Sequence, residues 1–177
     1  MAPLCFWIGV WAIACQFWPA ALEAQCRSQW VSAASVPTQR TEVTGARVGQ
    51  TIYLIGGIAL SDSTAVFTDT VEAYDVRSDS WRAVASLPDL RHHAAAVTVG
   101  GKVYVPGGYR DGDFRAVDTL YLYDPSTDRW STGAPLPTPR GAHTAAAVRG
   151  KIYLFGGVGS GGELLGAILH TDLVGTF

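Results

Sequence analysis

The chain writes one short phrase three times. Ile52-Tyr53-Leu54-Ile55-Gly56-Gly57 returns as Val103-Tyr104-Val105-Pro106-Gly107-Gly108, and again as Ile152-Tyr153-Leu154-Phe155-Gly156-Gly157. The leading glycines lie 51 and then 49 residues apart. A steady period of about 50 residues constrains the fold more than composition does, because it implies one supersecondary unit set side by side with its copies. Four apolar residues in succession suit a strand buried on both faces. The glycine pair then ends the strand and lets the backbone turn through positive φ, or approach a neighbour closely.

Other residues keep the same period. Tyr74-Asp75 and Tyr123-Asp124 each place their tyrosine seven residues before a tryptophan, Trp81 and Trp130. The segments between, Val76-Arg77-Ser78-Asp79-Ser80 and Pro125-Ser126-Thr127-Asp128-Arg129, are turn chemistry: Asp caps the turn and Pro presets φ at the next position. Each Tyr therefore ends a strand and each Trp begins the next, in a hairpin. These large amphipathic rings suit packing between neighbouring units, with one polar edge satisfied. Trp30 stands 51 residues before Trp81 and joins the series, so an isolated Trp strand is expected in the lead-in, residues 25–39. A strand of small residues precedes each glycine strand and opens at Arg40, Arg91 and Arg140. Gly100-Gly101 makes a tight turn between two of them.

The unit is therefore four strands. The glycine pair, the Tyr-Asp and the Trp six residues after that Asp together resemble the kelch repeat, over about residues 30–177. The resemblance implies an all-β fold of kelch-type β-propeller blades, four antiparallel strands each, with about three blades' worth in residues 40–177. Laying Asp172 on Asp69, with three extra residues in the preceding loop, places Phe177 on Tyr74. In that register the sequence begins on a fourth strand and ends on a third. A partial propeller leaves sheet edges and apolar blade faces in water. Two explanations are open. A longer protein supplies the missing blades, or a homodimer closes a six-bladed ring, each Trp30 strand completing the partner's third blade.

Leu4 to Leu22 is apolar apart from Gln16 and carries no charge, and it runs out through Ala20-Ala21-Leu22-Glu23-Ala24. Residues 1–24 read as a secretory signal peptide, which makes the chain secreted or periplasmic/extracellular. The alternative is a membrane anchor through residues 4–22, a run long enough to span a bilayer. Of three cysteines only Cys26 survives cleavage after Ala24, so the mature chain forms no internal disulfide. A net charge of −2 argues against a strongly basic nucleic-acid binder.

Scaffold loops carry function. Two sets are expected on one face: residues 58–68, 109–117 and 158–171 after the glycine pairs, and residues 86–91 and 135–140 ahead of the small-residue strands. The candidate ligand-binding residues there are Arg91, His92, Tyr109, Arg110, Arg115, Arg140 and His143. Arg91 and Arg140 recur with the repeat, which favours a structural role in bonding loop carbonyls. As binding residues they would grip a carboxylate or an acidic peptide. His92 and His93 are adjacent on a strand and so point to opposite faces, which argues against a metal site. Asp111-Gly112-Asp113 has its glycine too early for a calcium loop and lacks the terminal Glu, so it reads as a turn.

No catalytic set is recognisable from spacing, and no cofactor is implied. The chain reads as a binding module for a protein, peptide or glycan through its loop face, and the enzyme question leans to no. The resemblance carries an alternative, since some secreted kelch propellers are carbohydrate-active enzymes. A galactose-oxidase-like version is the less favoured, because it needs a Cys bonded to a Tyr beside histidine ligands, and Cys26 lies outside the blades. In a sialic-acid mutarotase-like version, Arg, His and acidic groups at the channel mouth would transfer protons.

Overall fold

The structure, a computed structural model, describes residues 29–172. The expected leader (residues 1–24), its anchor alternative and Phe177 lie outside the described residues. The chain divides into two compact units, Met1–Ser32 and Ala33–Phe177, and every strand belongs to the second. No helix among the described residues is long and apolar enough to cross a membrane.

The strands in chain order are β1 (Arg40–Thr41), β2 (Thr44–Val48), β3 (Thr51–Ile55), β4 (Ile58–Ser61), β5 (Thr64–Phe67), β6 (Val71–Asp75) and β7 (Ser80–Ala83). They continue as β8 (Val97–Val99), β9 (Lys102–Pro106), β10 (Leu120–Asp124), β11 (Arg129–Thr132), β12 (Thr144–Val148), β13 (Lys151–Phe155) and β14 (Ile168–Asp172). Three antiparallel sheets are the repeated units: β2-β3-β6-β7 is blade 1, β8-β9-β10-β11 is blade 2, and β12-β13-β14 is blade 3.

The Tyr-Asp/Trp hairpins form as the turn chemistry requires. Tyr74 pairs with Trp81 and Tyr123 with Trp130 across their strands. The Asp75 carboxylate accepts the Arg77 and Ser78 N–H groups, and Asp124 accepts that of Ser126. Each tryptophan then reaches back to the preceding repeat. Trp81 Nε1–H donates to the Ala34 carbonyl and Trp130 Nε1–H to the Ala85 carbonyl, both at 2.8 Å. The N–H of the same alanine donates to an aspartate, Ala34 to Asp79 and Ala85 to Asp128, and each aspartate also accepts a tyrosine hydroxyl, from Tyr74 and Tyr123. Tyr, Asp and Trp thus clamp one repeat to the next.

The glycine pair serves both purposes expected of it. Gly56 and Gly107 have φ of 60° and 59°. A Cβ on them would stand 2.3 Å from the Arg91 carbonyl oxygen and 2.5 Å from that of Arg140. The N–H groups of Gly57 and Gly108 donate to those same carbonyls, at 2.7 and 2.8 Å. Only glycine lets the neighbouring repeat's backbone come this close.

Strand alternation sorts each central strand between two neighbours. Tyr53, Ile55, Val71 and Ala73 of blade 1 pack against Val103, Val105, Tyr121 and Tyr123 of blade 2. On blade 2's other face, Tyr104, Leu120, Val97 and Val99 pack against Ile152 and Leu154 of blade 3.

Two expectations fail. In blade 3, Thr171 pairs with Ile152 and Asp172 with Lys151, the registers held in blade 1 by Tyr74 with Ile52 and Asp75 with Thr51. Asp172 therefore corresponds to Asp75, not Asp69, and Phe177 does not correspond to Tyr74. The reason is loop length: Gly157 to Ile168 is 11 residues, against 14 from Gly57 to Val71, so the loop is shortened rather than extended. Trp30 is the second. Residues 29–36 form no strand, and Trp30 is fully exposed. The Trp strands β7 and β11 exist by pairing with a Tyr-Asp strand just upstream, and Trp30 has no such partner among the described residues.

Candidate functional site

The loops after the glycine pairs all fold back on one plan. In the first repeat β1, β4 and β5 form a small sheet. In the second, His92 bridges Tyr109 and Tyr109 bridges Ala116; in the third, Gly141 bridges Val158 and Val158 bridges Leu164. The segments ahead of the small-residue strands are bonded to these loops' far ends, Leu87 N–H to Asp69 O at 2.9 Å and Leu136 N–H to Asp118 O at 2.7 Å. Both loop sets share a face, as expected.

Beneath them runs a line of repeat-equivalent residues, Glu42, His93 and Ala142, all left-handed with φ of 52°, 50° and 50°. His93 N–H donates to the Glu42 carbonyl and Ala142 N–H to the His93 carbonyl, at 3.3 and 2.8 Å. The left-handed turn at His93 also overturns the expectation that His92 and His93 face opposite ways. Alternation holds for extended backbone; with φ at 50° the two rings come together, Nδ1 to Nδ1 at 2.7 Å.

The partners fix where the protons sit. His92 Nε2 lies 3.0 Å from the Asp111 carbonyl, which only accepts, so Nε2 carries the proton and Nδ1 accepts. His93 Nδ1–H must then donate to it. His93 Nε2 faces a Glu42 carboxylate oxygen at 3.1 Å. A carboxylate also only accepts, so this contact is made by a doubly protonated His93, an imidazolium between Glu42 and a neutral His92. Burial holds His92 below the ordinary imidazole range, and the neighbouring His93 pushes the same way.

Aromatic rings cover this pair. Phe67, Tyr109 and Phe114 lie 4.8, 5.6 and 5.6 Å from the His92 ring, and Phe114 lies 5.7 Å from His93. Phe114 is half-exposed and left-handed. Each of the three loops lifts apolar side chains into solvent: Leu60 and Val66, Phe114, and Leu164. The loops also touch, through Ala116 N–H to the Ser160 hydroxyl at 3.1 Å.

The seven sequence candidates divide sharply. Arg91 and Arg140 are buried. Arg140 donates to the Gly156 and Ala167 carbonyls; Arg91 donates to the Leu90 carbonyl and the Asp89 carboxylate, and lies 4.9 Å over the Tyr121 ring. These two hold the scaffold, in keeping with their recurrence, and have no surface to offer a ligand. Their counterpart Arg40 donates to Gly56 O and pairs with Glu72. His92 and Tyr109 are buried as the floor of the loop cluster, with the Tyr109 hydroxyl donating to Val158 O at 3.2 Å. His143 has both ring nitrogens buried, and burial, helped by the Arg140 cation, pushes its pKa down to about 4.

Of the seven, only Arg110 and Arg115 present charge to solvent. Arg110 lies 3.8 Å from Asp89, and Arg115 Nε donates to Asp111 at 2.6 Å. Asp111 also accepts the Asp113 and Arg115 N–H groups, so Asp111-Gly112-Asp113 is a turn. Among the described residues no group of three His, Cys, Asp or Glu side chains is placed to hold a metal ion. The site residues that sequence reasoning missed are Glu42, His93, Phe67 and Phe114. Glu42 and His93 stand one period apart, a signal that the sequence carries; the two phenylalanines sit in loops with no period to mark them.

Four-stranded sheets stacked face to face, clamped in series and gathering their long loops on one face, define a β-propeller. The chain belongs to the kelch-repeat family: a family model described as the KLHDC2/KLHL20/DRC7 Kelch-repeats domain matches residues 15–157. Similar proteins include Kelch-like protein 23 of Homo sapiens, 37% identical over 84 residues, which are 47% of this chain and 15% of that one. Kelch repeat-containing protein kel-10 of Caenorhabditis elegans is 33% identical over 86 residues, 46% of this chain and 14% of that one. Among solved structures, that of YjhT superposes with a TM-score of 0.77 at 21% identity, covering 86% of this chain and 54% of that one. What is shared with YjhT at that identity is the fold. The chain thus spans about a seventh of the length of these curated relatives.

Proposed function

We propose that the loop face docks a protein partner. Kelch-repeat propellers commonly serve as protein-interaction modules. The observation that carries the reading is that Leu60, Val66, Phe114 and Leu164 are exposed on loops that all rise from the glycine pairs. Apolar side chains gathered on one face, with Arg110 and Arg115 beside them, fit a protein or peptide segment that brings apolar anchors and an acidic flank. Peptide-display selection on the purified chain tests this. Recovered binders should lose about tenfold or more in affinity against Phe114→Ala and Leu164→Asp. Binders indifferent to both substitutions overturn the reading.

One observation favours a second reading, a carbohydrate-active enzyme of the mutarotase kind. Glu42 and the His93 imidazolium are a base and an acid in contact, as proton transfer on a sugar requires. Anomer exchange of reducing sugars, followed by NMR and abolished by Glu42→Gln, would establish it. In either reading residues 1–24 direct the module out of the cytoplasm, and N-terminal sequencing of secreted material should begin near Gln25.

A further inference from the structure

Two blade junctions inside the molecule show what each blade face requires. The face that carries Tyr53 and Ile55 in blade 1 is covered by Val103 and Val105 of blade 2. The face that carries Tyr104 in blade 2 is covered by Ile152 and Leu154 of blade 3. Two faces are left open, and they are the two halves of a third such junction. Blade 3 presents Phe155, Ile168 and Val148, all exposed, on the face of Tyr153, the counterpart of Tyr53 and Tyr104. Blade 1 presents Ile52 and Leu54, the counterparts of Val103 with Val105 and of Ile152 with Leu154. Blade 2 stands between them, so one protomer cannot join its own two faces.

A second feature points to the same occupant. A cavity of about 140 Å³ lies between blades 2 and 3, bordered by Ala134, Pro135, Pro137, Leu169 and Thr171. Ala134 follows Ala85 by 49 residues, as Ala85 follows Ala34 by 51. The carbonyls of Ala34 and Ala85 each accept a tryptophan indole from the next blade. β14 has no fourth strand beside it among the described residues to bring that indole to Ala134. Trp30 is exposed and unpaired in any strand, and it stands four residues before Ala34, as Trp81 and Trp130 stand four before Ala85 and Ala134. In the order of the repeats its place is in the blade that precedes blade 1.

We propose that a second copy of this chain supplies that blade. Each protomer packs the Phe155 face of its blade 3 on the Ile52 face of its partner's blade 1. Each Trp30 segment adds as the fourth strand along the partner's β14, its indole N–H on the partner's Ala134 carbonyl. The interface repeats about a two-fold axis and closes a ring of six blades, within the usual four to eight.

Sedimentation equilibrium of the full chain tests this. The expected mass is twice that of one chain at micromolar concentration. Phe155→Asp and Ile168→Asp should each raise the dimer dissociation constant about tenfold or more, because they put charge into the buried junction. Both residues are exposed in the protomer, so circular dichroism should not change. Trp30→Ala should act likewise, and Trp30→Phe, which keeps a ring without the N–H, should fall between it and the parent. Leu164→Asp, on the loop face, should leave the mass unchanged, which separates this test from that of partner docking. A folded monomer overturns the proposal. So does a dimer that survives Phe155→Asp, Ile168→Asp and Trp30→Ala, or a chain that only aggregates.

Discussion

Blades 2 and 3 carry nearly the same central strand, Lys-Val-Tyr-Val-Pro and Lys-Ile-Tyr-Leu-Phe, and meet opposite fates. In β9 every residue after the lysine is buried; in β13 burial alternates, with Ile152 and Leu154 inside and Phe155 exposed. Composition does not explain this, for the exposed strand is the more apolar. Blade 2 has a neighbour on each side and blade 3 has one within the chain. In a stacked architecture, burial belongs to the junction rather than to the strand.

The sharpest way to test that contrast is to place one substitution at equivalent positions. Gly107→Val drives a Cβ into the Arg140 carbonyl at 2.5 Å and forces a β-branched residue to φ of 59°. It should cost ~3 kcal/mol or more, enough to unfold a marginal protein. Gly156→Val meets nothing nearer than Leu165 O at 3.7 Å and should cost only the backbone strain, ~1–2 kcal/mol. Gly112→Val, in an exposed turn, should cost under ~1 kcal/mol. Urea midpoints rank the three, and equal midpoints for Gly107→Val and Gly156→Val would remove the contrast between the blades.

Within blade 3 the same comparison can be made on adjacent residues. Leu154→Ala should cost ~2–4 kcal/mol, because Leu154 fills the junction with blade 2. Phe155→Ala, measured at concentrations where the protomer is alone, should cost under ~1 kcal/mol. A reversal of that order would mean that Phe155, not Leu154, faces blade 2.

The smallest effect expected is electrostatic. His143 lies beside Gly107 and titrates at about 4 when folded, against about 6.5 for a free imidazole. Its folded pKa is the lower, so the unfolded chain takes up the proton first. Stability from this residue is complete above about pH 6.5 and declines as pH falls toward 4, by at most ~1.4 kcal/mol per pH unit. His92, also depressed by burial, adds to the decline in the same direction. Thermal melts between pH 7 and pH 4 should show it, and His143→Gln should flatten the curve. A parent melting temperature constant across that range would deny His143 its buried, neutral state.

The repeated parts of this molecule are legible from the residues alone, because local rules suffice for them. Asp75 and Asp124 cap their turns, Tyr74 and Tyr123 meet their tryptophans, and the glycine pairs sit at positive φ against a neighbouring backbone. Fold class follows from these. The candidate site is less legible, because it is built where the repeats differ. Alternation misplaces His92 and His93, since nothing in an Arg-His-His sequence announces a left-handed residue. Phe67 and Phe114 reach His92 from loops of different length, and no period brings them together on paper. Length variation in a loop also misleads the register of β14, where a matching aspartate is a coincidence. Arg91 and Arg140 look like ligand contacts by their chemistry, although their periodicity already argues for scaffold.

The tryptophan clamp has a further consequence, for the gene rather than the fold. Both boundaries between successive repeats at Ala34 and Ala85 are closed by the same exchange, an indole and a carboxylate from one unit meeting the alanine of the unit before. A stretch that begins at Ala85 and stops just short of Ala134 can therefore be duplicated or excised with both of its cut ends finding chemically identical partners. Recombination in this coding sequence is tolerated in whole steps of about 50 residues and penalised in any other size, so descendants of such a chain should differ in length by blades rather than by fractions of one.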